Sequence, residues 1–437
     1  MTSSASNRRT PPGDDRAPAR PAVQRPPGRG SRLRTAAIVI AAVCAVLLAA
    51  VGGLAVIRAA TLDSAKNTPA AAGSAAAGSA VAGSGRVRHA AAGVTGLPKL
   101  SVAQLAGQRV VYSYNGLTPP ASLLRWIRAG EVGGVIFFSQ NIASAAQIAS
   151  VITELDQANA SAGNPLRKYP LLLMTDQEGG VVRRLPGQPV LSEKEIGESA
   201  HPVAQARAAG TAAGRNLAGV GMNLNLAPVL DVYRAPGGFD DQYQRSYSMG
   251  PRVVSRLGAA MIKAQQATGV AATAKHFPGL GAATADQNTD KVPVILNVPL
   301  HDLRTIDEYP YRAAIAAGVR LVMVSWAIYP ALDPKLPAGL SPAIVGGELR
   351  QRLGFTGVTI TDALEAGALQ PFGTTRNRAR MAAEAGMDLI MCAALKPGQG
   401  GQARIALADA YSSGALSHPA FQAAVQRILA LKTGLRH

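Results

Sequence analysis

From about residue 100 onward the chain alternates short apolar runs with longer, alanine-rich segments of helix-forming composition and length. The apolar runs lie at 110–114, 134–138, 171–175, 223–229, 271–276, 321–325, 358–361 and 388–392. Between them, residues 144–157, 203–217, 253–268 and 375–385 read as helices. Short buried runs separated by helical segments are the pattern of parallel strands joined by crossover helices. Eight such units in one domain predict an α/β fold, a (β/α)8 TIM-type barrel. An open doubly wound sheet stays available, because a count of runs does not show closure.

The first hundred residues have a different texture. Residues 1–34 are rich in Pro, Arg and Ser, lack apolar periodicity and read as a disordered cytoplasmic tail. Residues 35–57 carry no charge and are flanked by Arg32, Arg34 and Arg58. At about 1.5 Å per residue this stretch crosses a hydrocarbon core of about 30 Å, so a transmembrane signal-anchor helix is expected. The arginines upstream put the N-terminus in the cytoplasm and the rest of the chain outside. A cleaved signal peptide, giving a secreted form, is the rival reading. Residues 58–97 form an Ala/Gly/Ser-rich linker, and 98–437 the barrel domain.

Charge changes the picture less than its total of +18 suggests. Eight arginines against Asp14 and Asp15 lie in residues 1–34, and the barrel region has a moderate excess with no block of like charge. Nucleic acid is therefore not an expected partner. Two cysteines, Cys44 and Cys392, supply neither a disulfide framework nor a metal cluster. The histidines at 89, 201, 301, 418 and 437 have no ligand spacing with His276, so no metal and no cofactor are expected.

Several runs end in a polar or ionisable group: Asp176, Asp231, Lys275 with His276, Ser325 and Asp362. In a barrel the C-terminal strand ends share one mouth, so these groups are expected to converge. Lysine and histidine side by side offer several hydroxyl-binding donors and one acceptor.

These positions sit in motifs whose order resembles glycoside hydrolase family 3. Gly-Gly-Val-Ile-Phe-Phe at 133–138 is followed by Thr-Asp-Gln-Glu-Gly-Gly at 175–180, Asn-Leu-Ala-Pro-Val-Leu-Asp at 225–231 and Arg-Ser-Tyr at 245–247. Lys-His-Phe-Pro-Gly at 275–279, Leu-Gly-Phe-Thr-Gly at 353–357 and Ile-Thr-Asp-Ala-Leu at 360–364 complete the set. Over about residues 100–435 the likeness is to the family's single-domain bacterial β-N-acetylglucosaminidases, the NagZ type. The resemblance implies a retaining exo-glycosidase in which Asp362 is the nucleophile of a covalent glycosyl-enzyme. It also implies that Asp176, Arg184, Arg245, Lys275 and His276 bind the sugar. An arginine fork at the mouth is expected to pair with Asp176, and Gly179 and Gly180 to turn the backbone tightly.

One part of that machinery departs from the pattern. The single-domain type has a histidine acid/base on the loop after the Lys-His strand, with an aspartate two residues before it. Here those places hold Asn288 and Asp286, and Leu280 stands where a further histidine is usual. An amide is neither an acid nor a base near neutral pH. His276 is a poor substitute, because the charge of Lys275 beside it disfavours the imidazolium. Asp286, or more weakly Asp290, takes over if its pKa is raised in an apolar pocket. Trp326 replaces another common histidine, and reads equally as a sugar platform or as packing.

The expected activity is hydrolysis of terminal β-linked N-acetylhexosaminides from cell-wall-derived or related glycans. Two alternatives stay open: a catalytically impaired glycan-binding protein at the cell surface, and an exo-β-glucosidase of the same family.

Overall fold

The computed structural model describes residues 96–435. The expected tail at 1–34, the membrane span at 35–57 and all but the end of the 58–97 linker lie outside those residues. Among the described residues no helix is long and apolar enough to cross a membrane.

All eight apolar runs form strands: β1 (Val110–Tyr112), β2 (Gly134–Ile136), β3 (Leu172–Thr175), β4 (Leu224–Asn225), β5 (Ala271–Phe277), β6 (Leu321–Val324), β7 (Val358–Thr361) and β8 (Ile390–Met391). They pair in parallel in the order β7-β6-β5-β4-β3-β2-β1-β8. A parallel bridge from Ile360 to Leu389 joins the last strand to the first. Two backbone bonds support that seam, Thr361 N to Leu389 O at 3.0 Å and Leu389 N to Thr359 O at 2.9 Å. The barrel reading therefore holds over the open sheet.

Strand alternation explains how the barrel fills. Side chains two residues apart share a face, so Leu172 and Met174 of β3, Leu321 and Met323 of β6, and Val358 and Ile360 of β7 point into one interior cluster. Their neighbours, such as Leu173, Val322 and Val324, face outward into the shell packed against the helices. A filled interior closes the barrel below and leaves the strand ends as the place for a site.

The helices start where the chain offers caps. Ser144 accepts Gln147 N at the head of Ala145–Asn159, and Thr374 accepts Asn377 N at the head of Thr375–Ala385. Pro202 and Pro251 stand at the first positions of Pro202–Ala218 and Pro251–Gln266. Each boundary lies within two residues of the range expected from composition.

Candidate active site

At the C-terminal mouth of the barrel lies a cavity of about 310 Å³. Its lining brings together Asp176 beyond β3, Lys275 and His276 on β5, Asp362 beyond β7, and Arg184, Arg245, Asn288 and Asp290 from loops. Of the predicted site residues, Asp286 alone does not line it.

The floor is an ion-pair lattice. Lys275 Nζ is 2.8 Å from Asp176 Oδ1 and 2.7 Å from Glu178 Oε1. Arg245 grips Glu178 with both arms of its fork, Nε to Oε2 at 2.8 Å and Nη2 to Oε1 at 3.0 Å. Its third nitrogen, Nη1, reaches Asp240 at 3.2 Å. Burial alone would raise the Glu178 pKa, but the two cations overcome it and bring the value down to about 2. Burial opposes the charge on Lys275 in the same way, and Asp176 with Glu178 outweighs it, so its pKa is raised.

This arrangement corrects the expected pairing of an arginine with Asp176. After β3 the chain makes a short hairpin, Gln177–Gly179 against Val182–Arg183, which carries Glu178 inward. Gly179 and Gly180 turn it at φ 116° and 53°, the left-handed region that glycine enters without strain. Glu178 thus takes the guanidinium of Arg245, and Asp176 is left with Lys275 alone. Arg184 lines the cavity, with its Nε buried and unpartnered.

His276 is fixed from behind. Its Nδ1 lies 2.7 Å from Asp231 Oδ2, while Asp231 Oδ1 accepts the backbone N–H of Leu280 at 2.6 Å. Burial lowers the His276 pKa to about 4, assisted by Arg245 and Lys275. The ring is therefore neutral near pH 7, donates through Nδ1 to Asp231 and keeps Nε2 as an acceptor. Asp231, Asp240 and His276 place a ligand atom each within 4.8 Å of one another. Asp231 and His276 already bond each other, and the Arg245 cation stands among the three groups, 3.2 Å from Asp240 Oδ1 and 3.4 Å from His276 Nε2.

Across the cavity stand the carboxyl groups of Asp362 and Asp290. Burial raises the Asp362 pKa and the charge of Asp290 raises it further, while Lys275 and the N–H of Ala363, 2.7 Å from Oδ1, pull it back. Asp290 is an exposed residue whose carboxyl group lines the cavity; partial burial there raises its pKa, Glu365 and Asp176 add to it, and Arg245 and Lys275 oppose it. Asp286 behaves oppositely. It is exposed, it accepts the Thr284 hydroxyl at 2.5 Å, and that bond lowers its pKa. The expectation of a raised Asp286 in an apolar pocket is therefore corrected: its loop turns the side chain to solvent.

Trp326 is fully buried and donates its indole N–H to Ala363 O at 2.9 Å. It packs beneath the Asp362 turn and is not a sugar platform. Phe138, Phe239 and Tyr243 do line the cavity; Tyr243 is half-exposed and braced edge-on by Phe239 at 6.0 Å.

Sequence reasoning missed Glu178 as a site residue, although it lies within a motif that carried the resemblance, and it placed Asp231 at the mouth without seeing that it holds His276. Asp240 and Tyr243 had no local signal at all; only the fold of the long loop after β4 brings them in.

The comparisons with known proteins agree with this geometry. Residues 100–431 match the glycosyl hydrolase family 3 N-terminal domain. An uncharacterized secreted glycosyl hydrolase of Arthroderma benhamiae is 45% identical over 336 residues, covering 77% of this chain and 94% of that protein. The structure of a glycoside hydrolase family 3 β-N-acetylglucosaminidase from Paenibacillus sp. is 37% identical with a TM-score of 0.71, covering 77% of this chain and 63% of that one. The β-N-acetylhexosaminidase of Beutenbergia cavernae is 32% identical with a TM-score of 0.69, covering 77% of this chain and 99% of that one. With its barrel, its motifs and a family match over nearly all of the described residues, the chain is a glycoside hydrolase that belongs to glycosyl hydrolase family 3.

Proposed function

We propose that the protein is a retaining exo-glycosidase that removes terminal β-linked N-acetylhexosamine from cell-wall-derived or related glycans. Asp362 is the nucleophile and Asp290 the acid/base. The observation that carries this reading is the pair itself: two carboxyl groups lining one cavity, both with raised proton affinity, opposite a lattice of hydroxyl-binding groups.

Such a pair takes up a first proton more readily than an isolated carboxyl group does. Lys275 and the Ala363 N–H stabilise charge on Asp362, whereas Glu365 and Asp176 disfavour it on Asp290. The reading requires that the shared proton rest on Asp290 when the substrate binds. The Asp362 carboxylate attacks the anomeric carbon, the glycosidic C–O bond breaks, and its electron pair leaves on the oxygen that takes the Asp290 proton. Water then attacks the same carbon, passes a proton to the Asp290 carboxylate and releases Asp362.

Binding follows from the floor. Lys275, Arg184 and Arg245 donate to sugar hydroxyl or amide oxygens, and Asp176 and His276 Nε2 accept hydroxyl protons. A cavity at the small end of the range of about 300–1,000 Å³ typical of ligand pockets suits removal of a terminal residue. The amino sugar is supported by the names of the related β-N-acetylglucosaminidase and β-N-acetylhexosaminidase. Action outside the cytoplasm, with residues 35–57 as anchor or cleaved signal, is supported by that apolar stretch and by the secreted relative.

The full chain should cleave an aryl β-N-acetylglucosaminide in preference to the aryl β-glucoside, and release the β-anomer first. Incubation with a 2-deoxy-2-fluoro glycosyl donor should leave a sugar on the peptide containing Asp362, and Asp362→Asn should abolish both. Release of the α-anomer overturns the retaining reading, and equal turnover of the glucoside overturns the amino-sugar one.

A further inference from the structure

Resting on that reading, we infer that Asn288 and Gly367 are positioning residues that fix Asp290 to the segment carrying the nucleophile, so that acid/base and nucleophile share one rigid frame.

The frame is visible in main-chain bonds. Residues 362–368 leave β7 with Asp362 at their head. At their far end Gly367 N donates to Asp290 O at 2.8 Å and Ala368 N to Thr289 O at 3.0 Å. The two backbones approach so closely that a Cβ on Gly367 would stand 2.1 Å from Lys291 O and 2.3 Å from its carbonyl carbon. Only a residue without a side chain permits this contact. The 362–368 segment is itself held down: Trp326 Nε1 donates to Ala363 O at 2.9 Å, and Leu364 N to Met391 O at 3.0 Å.

Asn288 shapes the other side of the turn. Its side-chain oxygen accepts Asp290 N at 2.8 Å, and its backbone oxygen accepts both Lys291 N and Val292 N at 3.0 Å. A side-chain acceptor bonded two residues on is an Asx turn. The residue that cannot move a proton therefore aims the one that can. Farther out the loop is tied again, by Thr284 N to Gln287 Oε1 at 2.9 Å and Gln242 Nε2 to Ala285 O at 3.0 Å.

A positioning role has a kinetic mark that a purely structural one lacks. Protonation of the leaving oxygen matters for a poor leaving group and little for an activated phenolate. Misplacing the acid should therefore cost kcat/KM, which reports the leaving-group step, on a natural disaccharide and spare it on a dinitrophenyl glycoside, whose kcat falls instead through slower attack by water. Asn288→Ala and Gly367→Ala are expected to lower kcat/KM on the disaccharide by about 10- to 100-fold, with kcat/KM on the dinitrophenyl glycoside within about threefold. Asn288→Asp, which keeps an acceptor for Asp290 N, should restore most of the loss. Asp290→Ala is the reference: a larger loss on the disaccharide, about 10²- to 10⁴-fold, with azide restoring turnover of the activated substrate.

If Asp290→Ala shows this leaving-group dependence but Asn288→Ala and Gly367→Ala lower both substrates equally, or neither, the positioning inference is overturned and the acid assignment stands. If Asp290→Ala slows both substrates alike and azide does nothing, the acid assignment falls and the inference falls with it.

Discussion

Replacing Glu178 by glutamine tests the electrostatic floor of the site. Both Glu178 oxygens are occupied by cations: Oε1 takes Lys275 at 2.7 Å and Arg245 at 3.0 Å, and Oε2 takes Arg245 at 2.8 Å. An amide keeps one acceptor and turns an NH2 group toward donors that already carry charge. The Glu178 pKa falls from 4.5 to about 2 in the folded protein, with burial opposing and Arg245 and Lys275 driving the fall. At about 1.4 kcal/mol per tenfold change in proton affinity, this corresponds to about 3 kcal/mol of stability at pH 7. The same order, about 3–5 kcal/mol, is usual when one partner of a buried ion pair is removed.

The sign with pH follows from the direction of the shift. A carboxyl group with a lowered folded pKa contributes fully above its unfolded value, here near 4.5, and loses that contribution as pH falls through about 2. Urea unfolding of the wild type and Glu178→Gln should therefore differ by about 3 kcal/mol at pH 7 and by about half of that at pH 3. A difference that stays constant between the two pH values would refute the linkage argument. A glutamine variant as stable as the wild type at pH 7 would show that Lys275 and Arg245 find other partners at no cost.

Other consequences are open to direct measurement. Because Asp290 and Asp362 both have raised pKa values, both limbs of the kcat/KM profile should lie above the ordinary carboxylate range of about 4; Asp290→Asn should erase the basic limb, and persistence of that limb would assign it elsewhere. Asp286→Asn, at an exposed side chain outside the cavity, should keep kcat within about twofold, and a leaving-group-dependent loss would return the acid role to Asp286. Trp326→Phe removes the N–H that holds Ala363 O, so kcat should fall with KM unchanged; a rise in KM alone would make Trp326 a sugar contact after all. Asn288→His, which puts back the missing imidazole, should lower activity rather than raise it, because it removes the acceptor for Asp290 N; a gain on the disaccharide would refute the fixed-loop account.

The strands were legible because they are short, apolar and separated by helices long enough to force a parallel crossover. Residues such as Leu172 and Met174, alternating with Leu171 and Leu173, carry the period of two through one buried run. The site was legible where a side chain sits on or next to a strand, as with Lys275, His276, Asp176 and Asp362. It failed where position depends on how a loop returns. An arginine fork was expected on Asp176, since nothing local tells that the hairpin after β3 swings Glu178 in to take the Arg245 guanidinium. Trp326 had the composition of a platform, and only the proximity of Ala363 O shows that its polar end is used underneath the cavity. Asp286 and Asp290 differ by four positions and little else in sequence, yet one accepts a threonine hydroxyl in solvent and the other faces the nucleophile.

That last difference bears on how a histidine can be dispensed with. An imidazole with a pKa near 6.5 is half-protonated close to neutrality without assistance, whereas an aspartic acid near 3.9 has surrendered its proton. An aspartate that takes over as acid therefore needs surroundings that retain the proton, which requires negative charge and desolvation at short range. On the proposed reading Asp290 draws on both: partial burial at the cavity wall, and the charges of Glu365 and Asp176. Such tuning works only if the distances are constant, since a loop that drifted would lose the neighbours that keep it acidic. The backbone contact at Gly367 and the turn made by Asn288 hold those distances. On the proposed reading, rigidity of the loop and acidity of its aspartate are one requirement, and Asn288, which is no proton donor itself, serves the group that is.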